Sequence, residues 1–170
     1  YYNALVDTKK CVDCGLCTKV CPRENDNDMS KPKWWYQGWA DSEIREHASS
    51  GGAASAIIRA FIKHGGYVAS CLFDSGKFVF EVTNEMAVAR KFAGSKYVKS
   101  NPEKIYGKIQ SLVKANQKVL FIGLPCQVAA VNQFIKDKTN LVTADLICHG
   151  TPSPYLLKKC LQEYGHDINT

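Results

Sequence analysis

The chain's 170 residues suffice for one domain with a small appendage, and a hydrophobic share of 45% suffices for a real core. Apolar runs never reach the ~18 residues of a membrane span, and no signal peptide is visible; a start at Tyr1 in place of Met points to processing or truncation. The formal charge of +6 is uneven: residues 1–50 hold seven Lys/Arg against eight Asp/Glu, and residues 51–170 hold fifteen against eight. The basic excess suits nucleotide phosphates or an acidic electron-carrier protein, and its scatter argues against nucleic acid.

Residues 1–6 read as a short strand. Cys11, Cys14, Cys17 and Cys21 follow, spaced C-x2-C-x2-C-x3-C-P with Pro22. That is the bacterial ferredoxin spacing for a 4Fe-4S cluster, whose irons take soft thiolates. A structural zinc ion or a disulfide pair are the competing readings, but zinc sites usually place a longer loop between two C-x2-C pairs. Gly15 leaves room for backbone near a cluster, and Pro22 is expected to end a short helix carrying Cys21. In two-cluster ferredoxins the Cys before the Pro serves the other cluster. No second run exists in this chain, so either one cluster takes all four thiols or a partner motif is missing. The other four cysteines sit singly in apolar contexts, which fits a reducing cytoplasm better than a disulfide scaffold.

Polar residues 23–33 read as a linker. Trp34 to Ala40 is aromatic-rich and is expected to be a strand, its three Trp either plugging a domain junction or stacking on a flat cofactor ring. Ser42 is expected to cap a short helix running to about His47. An apolar-periodic helix with Ala54, Ile57, Ile58, Phe61 and Ile62 on one face follows and stops at Gly65-Gly66. Tyr67–Phe73 and Phe78–Thr83 alternate as two strands of a hairpin. After a less regular stretch, Asn101-Pro102-Glu103 opens a helix to about Asn116. Val119–Leu124 reads as a buried strand, Val128–Lys136 as a helix, Leu141–Ile147 as a strand and Tyr155–Tyr164 as a last helix. Strand–helix–strand–helix order from 119 onward implies a right-handed parallel unit. The fold class is therefore α/β (α+β mixed) with a mixed, partly parallel sheet.

Three further groups could carry chemistry. Ser49, Ser50, Gly51 and Gly52 stand at a helix start, where small residues and free N–H groups admit an anion; an ordinary cap explains them as well. Ser95, Lys96 and Tyr97 after Gly94 could grip a phosphate and flank a ring, or form a plain surface loop. Cys126 and Cys148 each follow the C-terminal end of a predicted parallel strand, the edge where open α/β sheets bind ligands. They could bind metal, form a redox pair or only pack, with His149 as a neighbouring proton donor. Cys71 and Cys160 are expected to be core thiols.

Five segments carry a resemblance: Cys11–Pro22, Ser49–Gly52, Gly94–Ser100, Phe121–Ala129 and Asp145–Pro154. By their order and spacing the sequence resembles the coenzyme F420 hydrogenase/dehydrogenase beta-subunit family. The resemblance implies an iron–sulfur flavoprotein oxidoreductase, in which residues 1–33 form a ferredoxin-type segment and residues 34–170 an α/β flavin-binding domain. It implies 4Fe-4S clusters and FAD, with Ser49, Ser50, Gly51, Gly52, Ser95 and Lys96 holding the flavin nucleotide and Tyr97 near its ring. It implies that Cys11–Cys21 is the second motif of a pair, so that Cys11, Cys14 and Cys17 share a cluster with a thiol from before Tyr1. Cys126 and Cys148 would join a Cys pair from beyond Thr170 around another cluster, so the chain is expected to be truncated at both ends. Partners implied are an electron-carrier protein or hydrogenase/dehydrogenase subunits, and a small-molecule hydride donor or acceptor such as the deazaflavin. The alternative is a non-catalytic electron-transfer module feeding a partner subunit.

Overall fold

The computed structural model describes residues 5–24 and 31–169. Its elements in chain order are α1 (Leu16–Lys19), α2 (Ser42–Arg45), α3 (Ala53–Lys63), β1 (Tyr67–Asp74), β2 (Lys77–Thr83), α4 (Met86–Ala89) with a following 3-10 turn (Arg90–Phe92), α5 (Ile105–Lys114), β3 (Val119–Gly123), α6 (Pro125–Phe134), β4 (Leu141–Asp145) and α7 (Pro154–Glu163).

The four strands form one mixed sheet in the order β2-β1-β3-β4. β1 and β2 are antiparallel, joined by Ser75-Gly76 at φ 48° and 76°, the pair of left-handed residues that a tight two-residue hairpin turn requires. β3 runs parallel to both β1 and β4, with Val119 opposite Tyr67 on one side and Leu141 on the other. The alternation of a strand then decides which side chain meets which helix layer. Ala69, Val119 and Phe121 point with Phe80 into a core closed by Ile105, Ile109 and Val113 of α5 and Val131 of α6. Val68, Leu72, Leu120 and Ile122 point the other way, against Ile58 of α3, Ala89 and Phe92. β3 is buried along its whole length because helices cover both faces, as the apolar run from Val119 predicts. Phe121 is the hub of the first core, stacked on Phe80 at 5.4 Å and edge-on to Tyr106 at 6.2 Å.

Helix α3 stops where Gly65-Gly66 predicts. Gly65 N–H donates to the Ile62 carbonyl and Gly66 N–H to that of Phe61, a Schellman closure with Gly65 at φ 78°. Asn116 closes α5 by the same pattern at φ 59°, its short polar side chain tolerating the left-handed region.

Several expectations are corrected. Trp34–Ala40 is not a strand, and Trp34, Trp35, Tyr36 and Trp39 are 72–90% exposed among the described residues. Ala40 instead ties this extended segment to the next loop through its N–H on the Gly51 carbonyl at 2.7 Å. Asp41, not Ser42, is the N-cap of α2, which ends at Arg45. The irregular stretch after β2 contains α4 and the 3-10 turn. Helix α5 starts three residues later than the Asn-Pro signal suggests, because Asn101 is drawn into a bridge with Val79 and its side chain accepts the Glu103 N–H at 3.1 Å. α6 starts at Pro125, three residues early, with Pro at the first helical position where its missing N–H costs nothing. β4 ends at Asp145, and Cys160 on α7 is exposed and not a core thiol. The strand expected at 1–6 lies mostly outside the described residues, and Leu5 and Val6 are not in a strand.

Candidate cluster and nucleotide sites

The thiol run is an exposed loop wrapped on one helical turn. Asp7 starts it: its carbonyl accepts the Lys10 and Cys11 N–H groups, and its carboxylate accepts that of Lys9. Asp13 and Gly15 lie at φ 51° and 66°, and this left-handed alternation curls the backbone between Cys11 and Cys17. Gly15 meets no atom within 4 Å of where a Cβ would stand, so its place is conformational and its outer face open. α1 carries Cys17. Cys21 lies beyond the helix, its N–H on the Thr18 carbonyl, so the expected helix around Cys21 ends earlier, at Lys19. Cys11, Cys14 and Cys17 are exposed, Cys21 is half-buried, and all eight cysteines of the chain are unbridged. Among the described residues no three His, Cys, Asp or Glu side chains are gathered to hold a metal ion. The donor chemistry nevertheless fits a cluster: four thiols on one short loop, none consumed by a disulfide. Exposed thiols on a turn have no packing force to gather them, and ligand bonds supply that force.

The two loops expected to hold a nucleotide are brought together. The Ser95 N–H donates to Ser49 Oγ at 2.6 Å across 46 residues of sequence. Gly52 is the N-cap of α3 at φ 78°, and a Cβ there would stand 3.1 Å from Ala40 Cβ and 3.3 Å from Ile44 Cγ2. Its glycine is required by backbone conformation and by close approach of the Ala40–Ile44 segment. Ser49 and Ser50 do not cap α3, whose first turn has no side-chain partner.

Lys96 behaves differently from its expected phosphate grip. Its ammonium donates to the carbonyls of Lys91, Phe92 and Ala93 at 3.2, 2.8 and 2.8 Å, closing the end of the 3-10 turn. Burial lowers its pKa, and the nearby Cys71 opposes that shift. Burial raises the pKa of the Cys71 thiol in turn, against a hydrogen bond with Ser100 and the charge of Lys96. Tyr97 is exposed beside an open groove of about 490 Å³ formed with Phe73, Phe78 and Leu157. On the other side of Ala93 lies a cavity of about 500 Å³ lined by Ile44, Ile58 and Ala89 and rimmed by Glu43, Arg59 and Arg90. Sequence reasoning missed this second cavity. Arg59 and Arg90 lie on separate elements, and only the packing of α2, α3, α4 and the 3-10 turn brings them to one cavity.

At the sheet's C-terminal edge, Gly123 of β3 pairs with Asp145 of β4, so the residues following both strands leave from one edge. Cys126 stands in the first turn of α6 and is exposed; Cys148 is half-buried, its sulfur accepting the Gly150 N–H at 3.3 Å. Gln127 fastens this edge to the Gly94–Ser100 loop: its Oε1 accepts the Leu124 N–H at 2.9 Å and its Nε2 donates to the buried Ser100 Oγ at 3.0 Å.

Two family models match the chain. Residues 4–24 match the 4Fe-4S binding domain, and residues 116–170 match the C-terminal part of the coenzyme F420 hydrogenase/dehydrogenase beta subunit. Over residues 116–170 the chain is thus similar to the coenzyme F420 hydrogenase/dehydrogenase beta-subunit family. A curated relative, "Uncharacterized protein MJ1349" of Methanocaldococcus jannaschii, is 27% identical over 141 residues, covering 77% of this chain and 39% of that protein. A chain of the F420-reducing NiFe hydrogenase complex from Methanosarcina barkeri superposes with a TM-score of 0.63 at 20% identity, over 77% of this chain and 49% of that one. The fold is therefore that of the hydrogenase chain, and this sequence spans about two fifths to one half of these relatives. No described helix is long and apolar enough to cross a membrane.

Proposed function

We propose that this chain is the cluster- and flavin-bearing part of an oxidoreductase that passes electrons between 4Fe-4S clusters and a hydride donor or acceptor, the deazaflavin or another small molecule. The observation that carries the reading is the Ser95-to-Ser49 hydrogen bond, which joins two distant Ser/Gly loops beside two cavities on a chain that also holds a 4Fe-4S segment. Residues 1–33 act as the ferredoxin-type part and 34–170 as the flavin-binding part. Cys11, Cys14 and Cys17 hold one cluster, and Cys21 serves a second. Cys126 and Cys148 supply two thiols of a further site completed from outside this chain.

Bound FAD supplies the exchange between two-electron hydride transfer and one-electron steps. The chain's own residues bind and orient. Ser49, Ser50, Gly51 and Gly52 present small side chains and uncapped amides to the nucleotide. Tyr97 offers a ring face at the open groove. Lys96 acts as a positioning residue, holding the Ala93–Tyr97 loop through backbone carbonyls. Electron-carrier proteins or hydrogenase-type subunits are the fitting partners, in a reducing compartment that keeps the thiols unbridged.

Anaerobic purification of the full-length protein, with iron, sulfide and flavin quantified, tests the reading. Iron and sulfide with FAD, bleached by a hydride donor, are the expected result. Clusters without any flavin would leave a wiring module that feeds a partner subunit, and would refute the enzyme.

A further inference from the structure

The cavity between α2, α3 and the 3-10 turn combines an apolar wall with a charged rim. Ile44, Ile58 and Ala89 form the wall; Glu43, His47, Arg59 and Arg90 form the rim. Its volume of about 500 Å³ is that of a small-molecule site. Ala93 lines both this cavity and the groove beside Tyr97, so the two lie back to back at the loop that Ser49 holds.

The rim already holds an anion of the protein's own. Glu43 Oε1 accepts from Arg59 Nη2 at 2.7 Å. Arg90 and His47 also act on that carboxylate, and all three hold its pKa below the ordinary value, Arg59 foremost. The Arg59 guanidinium thus pairs with this carboxylate, and Arg90 and His47 line the same cavity. The ion pair is well exposed, and such pairs contribute little to stability. A ligand with more charge and better geometry can replace the carboxylate at small cost. Guanidinium groups suit phosphate best, since their planar fork matches two oxygens at once.

We propose that this cavity binds the phosphate-bearing part of a nucleotide, with Arg59 and Arg90 as its anion partners and Glu43 as the resident carboxylate that the phosphate displaces. The assignment rests on the reading of the chain as a FAD protein, and names the residues that hold the nucleotide's charged portion. Glu43 then has a second effect: it keeps the two arginines oriented when no nucleotide is bound, and it competes with the ligand for them.

Calorimetric titration of the flavin-depleted full-length protein with FAD, riboflavin and ADP tests this. Arg90→Ala and Arg59→Gln should each weaken FAD and ADP about tenfold, the worth of a charge-assisted contact, and leave riboflavin unchanged. Glu43→Gln should tighten FAD and ADP about threefold, because the competitor is gone. FAD bound normally by both arginine variants would overturn the cavity assignment and leave the flavin reading standing. ADP bound in an arginine-dependent way by a protein that takes no flavin would do the reverse. Weaker FAD binding by Glu43→Gln would overturn the displacement. Arg59→Lys, which keeps the charge, separates phosphate recognition from folding: it should recover part of the affinity, and failure to do so together with a normal melting temperature would refute a charge-based role.

Discussion

Gln127 is the residue whose replacement most directly tests how the loops and the thiol-bearing edge are coupled. It sits at the third position of α6, half of a capping box, and its amide has two jobs. Oε1 takes the Leu124 N–H and Nε2 reaches the buried Ser100 hydroxyl, 27 residues away in sequence. Gln127→Met preserves length and volume and removes both bonds. Stranding the half-buried Leu124 N–H costs about 1–3 kcal/mol, and losing the bond to Ser100 about 1 kcal/mol more. The expected loss is about 2–4 kcal/mol, which for a chain of this size is a fall in Tm of roughly 5–15 °C. Urea and thermal unfolding followed by circular dichroism read it. Gln127→Glu keeps an acceptor for Leu124 and should recover a part. Ser100→Ala combined with Gln127→Met should cost less than the sum, with a coupling of about 1 kcal/mol. Strict additivity, or no loss from Gln127→Met, would refute the claim that this amide ties the loop to the edge.

Other substitutions probe the remaining links. Burial, with the neighbouring Cys126, pushes the Tyr106 phenol up to about 12. The neutral phenol is thus favoured by the fold, and stability present below about pH 10 is lost as pH rises toward 12. Partial exposure of the ring limits the loss to about 1–2 kcal/mol, which urea midpoints above about pH 9 measure and Tyr106→Phe should abolish. Gly52→Ala forces a Cβ into a left-handed residue against Ala40 and Ile44; it should cost about 1–3 kcal/mol in urea unfolding, and an unchanged midpoint contradicts the packing role. Cys14→Ser should lower bound iron and the visible absorption of the cluster, and unchanged iron would remove Cys14 from the ligand set.

The cluster segment was legible because its information is local. Four thiols and a proline at fixed spacing form a signal that needs no tertiary contact, and the segment that contains Cys11, Cys14, Cys17 and Cys21 matches the 4Fe-4S binding domain over residues 4–24. The hairpin, the buried strand from Val119 and the glycine stop of α3 were legible for the same reason, since periodicity and turn chemistry act over a few residues. The aromatic stretch was misread because strand propensity is a statement about packing on a pleated surface. Among the described residues Trp34–Ala40 has no strand partner, and Ala40 N–H bonds the Gly51 carbonyl instead. Gln127 at the third position of a helix begun by Pro125 is a capping signal that sequence alone could have supplied.

What sequence determined by itself is local: the thiol spacing that matches a 4Fe-4S domain, the small and hydroxyl residues gathered in two loops, and the alternation of a two-faced sheet. Tertiary structure decided which of them meet. It turned the Lys96 ammonium onto three carbonyls, joined Ser49 to Ser95, and set Arg59 on Glu43 at a cavity that Arg90 also lines. The physical reason is that a charge's partner depends on distance and burial, and side chains dozens of residues apart acquire both only when the helices pack.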